Sequence, residues 1–73
     1  MDFTQIEISE QAKRVPYLLL VYLEKEGYDI KSILECQEVN VDTYRMKYIP
    51  NGYKTPRKIE VGLGYDLYVE PLS

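Results

Sequence analysis

Apolar positions in this chain keep two different rhythms. After Phe3, the run Ile6-Glu7-Ile8 alternates as a half-buried strand does. Ser9 stands where an N-cap would, and Glu10 suits a first helical turn. The spacing then lengthens. Val15, Leu18, Leu19, Tyr22 and Leu23 fall at helical intervals; either a short first turn kinks at Pro16 or the helix starts near Arg14 with Pro16 in its first turn, and Gly27 ends it. Leu20 and Val21 widen this stripe beyond one packing face, so the helix is expected to be covered on more than one side.

A second helix is predicted from Asp29, or from Ser32 with Glu35 as a capping box, with Ile30, Ile33, Leu34 and Gln37 on one face. A third starts after Asn40 or Asp42 and stops at Pro50. On that helix Val39, Asp42, Thr43, Met46 and Ile49 form the buried set, while Val41, Tyr44, Arg45, Lys47 and Tyr48 point outward. Burying Val41, Tyr44 and Tyr48 instead gives equally good helical spacing. The short break around Glu38-Val39-Asn40 has the spacing of a helix-turn-helix. Beyond the Pro50-Asn51-Gly52 turn the rhythm returns to alternation. Ile59, Val61 and Leu63, then Leu67 and Val69, read as a β-hairpin joined near Gly62-Leu63-Gly64. The expected fold is α+β: a three-helix helix-turn-helix core with an N-terminal strand and a C-terminal β-hairpin, as one domain over residues 1–73.

Composition narrows the function classes. With 73 residues, 45% of them hydrophobic and eight tyrosines among them, the chain reads as a folded domain near the lower limit for a self-supporting core. The longest apolar run, Val15 to Leu23, contains Pro16 and two tyrosines and falls short of the roughly 18–20 residues of a membrane span. Asp2 and Glu7 occupy the place of a basic leader region, so the expectation is a cytoplasmic protein with no membrane association. Cys36 is the single cysteine and there is no histidine, which removes Ser-His-Asp and Cys-His arrangements and the common zinc patterns. Cys36 lies between Glu35 and Glu38, surroundings that do not favour a thiolate, and reads as a small core residue. No catalytic residue, metal or cofactor is expected, and the chain is read as a non-enzyme.

Charge supplies the positive clue. The chain holds 9 Lys+Arg against 12 Asp+Glu, a net charge of -3, yet no acid lies between Thr43 and Ile59. That window holds Arg45, Lys47, Lys54, Arg57 and Lys58 together with Tyr44, Tyr48 and Tyr53; without those five cations, 4 basic residues face 12 acidic ones. Such a field attracts a polyanion while the acidic remainder keeps the protein soluble.

Several stretches also resemble known regulators. Val41-Asp42-Thr43-Tyr44-Arg45, Ile49-Pro50-Asn51-Gly52, Pro56 and Ile59-Glu60-Val61-Gly62 resemble the winged helix-turn-helix of phage excisionases and AlpA-type regulators, relatives of the MerR family. The overall element order, with Arg57-Lys58-Ile59 opening the hairpin, is also similar to Cro-type repressors. Both resemblances imply a winged helix that binds double-stranded DNA, and the second implies a homodimer paired through Leu67-Tyr68-Val69-Glu70. The expected site follows. Tyr44, Arg45, Lys47 and Tyr48 would face base edges, with Lys54, Arg57 and Lys58 on phosphates. The alternative is a small inhibitor or adaptor that uses the same fold against a protein of its host.

Overall fold

The structure, a computed structural model, describes residues 3–12 and 14–72; Asp2 of the leader reading lies outside them. Five strands form one sheet in chain order: β1 (Glu7–Ile8), β2 (Ile30–Asn40), β3 (Thr43–Pro50), β4 (Arg57–Leu63) and β5 (Leu67–Leu72). β1 runs parallel to β2, and every later pair is antiparallel. Between β1 and β2 the chain makes a 3-10 turn, Glu10–Ala12, and the helix α1 (Tyr17–Lys25).

This architecture overturns the three-helix reading. Among the described residues α1 is the single α-helix, and the segments expected as the second and third helices are β2 and β3. The helix-turn-helix, the winged helix and the likeness to excisionase, AlpA, MerR and Cro-type regulators fail with them, because no recognition helix exists over 41–49. The misreading of β2 has a local cause. Its register against β3 shifts between Ile30 and Ser32, between Ile33 and Glu35, and between Glu38 and Asn40. Each bulge adds a residue to β2 and delays the alternation. Ile30, Ile33 and Cys36 therefore face the core at intervals of three, which imitates a helical stripe. In β3 the ambiguity is arithmetic, because four residues make two strand repeats and about one helical turn. Tyr44 and Tyr48 satisfy both periods, and the structure places them with Met46 on one face, alternating with Arg45, Lys47 and Ile49.

Other local readings hold. Ser9 caps the 3-10 turn, its Oγ accepting the Gln11 N–H at 3.2 Å. Gly27 ends α1 at φ 89°, its N–H donating to the Glu24 carbonyl at 3.0 Å while the Tyr28 N–H reaches the Leu23 carbonyl at 2.9 Å. This pair of bonds satisfies carbonyls that the helix end leaves open, and glycine takes the left-handed conformation without a Cβ clash. At Pro50-Asn51-Gly52 the Tyr53 N–H closes a turn on the Pro50 carbonyl at 3.2 Å, with Gly52 at φ 84°. The C-terminal hairpin pairs Val61 with Val69 and Leu63 with Leu67.

The core lies between α1 and one sheet face. Leu19, Leu20 and Leu23 pack in one cluster with Ile33, Met46, Tyr48, Ile59 and Val61. Met46 is 2% exposed, the burial expected of it. α1 does not extend its cover to its outer side, where Leu18 stays 71% exposed, so the expected second covering is absent among the described residues. The opposite sheet face is open to solvent, as an antiparallel sheet permits. It carries the polar half of each strand, including Gln37, Arg45, Lys47, Lys58 and Glu60.

Candidate functional site

The basic window does not fold into one surface. Arg45, Lys47 and Lys58 project from the open sheet face, whereas Tyr44, Tyr48 and Arg57 lie in the rows that face α1. Lys54 sits in the loop between β3 and β4. Tyr48 is 4% exposed, its ring 6.3 Å from that of Tyr28, and burial is the largest cause that pushes its hydroxyl pKa up. Tyr44 is half-buried against the core, and burial again leads in raising its pKa. Neither ring is presented as a base-edge contact would require.

The cations on the open face are interleaved with acids. Arg45 Nε donates to Glu60 Oε1 at 2.9 Å, and the Tyr68 hydroxyl donates to Glu60 Oε2 at 2.8 Å. Those two bonds, Arg45 first, hold the Glu60 carboxyl below the usual glutamate range. Lys47 Nζ lies 4.0 Å from Glu35 and directly opposite Lys58. Arg57 stacks over the Tyr53 ring at 4.7 Å. The Cys36 thiol is half-buried and its pKa is raised by burial, which suits a packing residue. Among the described residues no three acidic or cysteine side chains gather as a metal site would need, and no helix is long and apolar enough to cross a membrane.

A different surface stands out, where two hairpin tips meet. The β2–β3 turn places Val41 and Asp42 between Asn40 and Thr43, with Asp42 at φ 53°. Such a left-handed residue is uncommon unless its side chain is short and polar. Asn40 Oδ1 accepts the Val41 N–H at 2.8 Å and Glu38 Oε2 accepts the Asp42 N–H at 3.2 Å, so the tip is tied to its own strand. The β4–β5 tip lies beside it. The Leu63 N–H donates to the Asp42 carbonyl at 2.8 Å, and a Cβ on Gly64 would stand 3.7 Å from that of Asp42.

This paired end exposes Val39, Val41, Tyr65 and Leu67. Val41 is 82% exposed, Leu67 is 60% exposed and Tyr65 is free of any cover. Four of the eight large apolar residues left exposed among the described ones are thus on two touching turns or the strand ends beside them. Glu38, Asp42 and Asp66 are the acids beside them. Sequence reasoning gave Leu67 to a dimer strand and placed Val39 and Val41 on a helix, so it did not bring these residues together. The available signal was the type of residue: turns usually take Gly, Asn, Asp, Ser or Pro, and a bare Val or Tyr there meets no folding need. No family model, curated protein or solved structure matches the chain, so the geometry alone carries the functional reading.

Proposed function

We propose that this chain is a small non-catalytic binding module that docks on another protein through its paired hairpin tips. One observation carries the reading: Val41, Tyr65 and Leu67 are exposed together at two hairpin ends that the Leu63 N–H to Asp42 carbonyl bond holds side by side. Exposed apolar side chains on a fixed backbone lose little entropy on binding, and tyrosine is enriched among the residues that dominate interface energies. The acids Glu38, Asp42 and Asp66 around them select a partner surface that is apolar at its centre and rimmed by Lys or Arg.

The duplex-binding expectation loses its recognition helix. What remains for it is Lys54, Arg57 and Lys58 near the other end of the sheet, with Glu60 and Glu70 nearby on the strands. One experiment separates the two readings. A photo-reactive residue at position 65 is expected to cross-link a protein in extracts of the source cells. Tyr65→Ala and Leu67→Ser should lose the same species on a pull-down, while Lys54→Ala and Arg57→Ala retain it. Retention by the tip variants sinks the docking reading. A low-salt gel shift on random duplex that weakens with Lys54→Ala and Arg57→Ala would transfer the contact to the basic end.

A further inference from the structure

β5 is the last strand of the sheet, so one side of its backbone has no ladder partner among the described residues. It is continuous with the exposed tip, since Leu67 belongs to both. Two cross-strand rows on the open face end at this edge. One runs Gln37, Arg45, Glu60, Glu70, and the next runs Glu35, Lys47, Lys58, Leu72. In the first row Arg45 answers Glu60, but Glu70 then stands directly opposite Glu60 with the same charge. Like charges in that position cost stability, and an opposite charge on the far side of Glu70 would offset the cost. On the face turned to α1 the row Tyr44, Val61, Val69 ends on a half-buried valine, so an apolar neighbour fits there.

We propose that β5 takes up an extended segment of the protein partner as a sixth strand, with Lys or Arg opposite Glu70 and an apolar side chain opposite Val69. The proposal rests on the protein-docking reading and gives it a mode, in which backbone bonds supply affinity and the alternating side chains supply choice. A second copy of this chain fits the same edge less well. Antiparallel self-pairing keeps the two faces matched only with a single residue on the two-fold axis. With Glu70 on the axis it meets its own copy, and with Tyr68 there Glu70 meets Asp66 of the second copy. With Val69 on the axis, Glu70 falls opposite Tyr68 of the second copy and gains no opposite charge. Every register centred on residues 68–70 thus leaves Glu70 without a cation, which a basic strand supplies.

The test uses the full chain and a synthetic peptide, acetyl-Thr-Val-Lys-Val-Thr-Val-amide, which sets Lys opposite Glu70 and Val opposite Val69 when it pairs antiparallel. At millimolar concentration it is expected to shift the NMR signals of the β5 amides and slow their hydrogen exchange. The same peptide with Glu for Lys should bind about five-fold more weakly. Glu70→Gln should remove most of that difference while leaving the fold intact. Unmoved β5 amides, equal affinity for the two peptides, or a dimer in sedimentation that Val69→Lys dissociates would each overturn the proposal. The last result would assign the edge to a second copy. Because the peptide replaces the partner, Tyr65→Ala leaves this titration unchanged, and its failure is separable from failure of docking at the tips.

Discussion

The two ends of the sheet, roughly 25 Å apart along β3 at about 3.3 Å per residue, treat their exposed side chains in opposite ways. At the β3–β4 loop the side chains find partners within the chain. Asn51 donates its side-chain N–H to Asp29 Oδ1 at 2.8 Å and its backbone N–H to the Asp29 carbonyl at 3.0 Å, while Arg57 covers Tyr53. At the paired tips the backbone is tied down but Val41 and Tyr65 are almost uncovered and Leu67 is more than half exposed. At the loop end Asn51 and Arg57 are engaged within the chain. Val41 and Tyr65 bury little on folding and leave apolar surface in water, which suits a contact outside the chain. The basic window of the sequence places Lys54, Arg57 and Lys58 at the loop end, away from the apolar tips.

The largest effect expected is one that erases the contrast. Met46 sits in the middle of the core, and Met46→Asp leaves a charge with no partner there, costing on the order of 3 kcal/mol or more. In a domain of this size circular dichroism should show unfolding, and both ends should be lost together.

A smaller change should loosen the tip end selectively. Gly62 lies opposite Tyr68, and a Cβ there would overlap the Tyr68 ring. Gly62→Ala is expected to displace that ring, break its bond to Glu60 and cost about 1–3 kcal/mol. Hydrogen exchange should rise in β4, β5 and the tips more than around Asn51. Equal loosening at both ends would show that the tips have no independent rigidity.

Acid should act on the same region. The Glu60 carboxyl has its pKa lowered in the folded chain, so its contribution is present above the ordinary glutamate pKa of about 4.3 and is lost as pH falls through the lower folded value. Glu60→Gln should therefore flatten the decline of melting temperature below that pH and leave the neutral-pH slope unchanged. An identical acid profile in the variant would remove Glu60 from the account.

The smallest expected effects sharpen the comparison most. Tyr65→Ala and Val41→Ser should each change stability by no more than about 0.5 kcal/mol, since neither side chain is buried on folding. Arg57→Ala should cost a similar small amount through the lost stack on Tyr53. If thermal melts show a tip substitution to be strongly destabilising, the tip residues are structural and the docking surface lies elsewhere.

Much of the local punctuation was legible before any coordinates. Ser9 as a cap, Gly27 as a helix end, the Pro50-Asn51-Gly52 turn and the alternating hairpin from Ile59 to Val69 all follow from backbone and side-chain chemistry that acts over a few residues. The burial of Met46 was legible too, from the helical stripe it shares with Val39, Asp42, Thr43 and Ile49, and the extended pattern also places it inward. The state of residues 30–50 was not. Bulges at Lys31, Leu34 and Val39 give β2 the spacing of a helix, and Tyr44 and Tyr48 satisfy both periods in β3. Only the five-residue alternation Tyr44-Arg45-Met46-Lys47-Tyr48 separates the two states there, because a helix would turn Met46 away from both tyrosines. The choice rests on β4 and β1, which supply ladder partners on either side of the β2–β3 hairpin, and on α1, which covers its apolar face. β1 and α1 are remote in sequence from β3, so only the tertiary structure shows what flanks and covers the hairpin that holds 43–50 as a strand. The same packing turned Arg45 and Tyr48 to opposite faces of the sheet and brought Val41 and Tyr65 to one end.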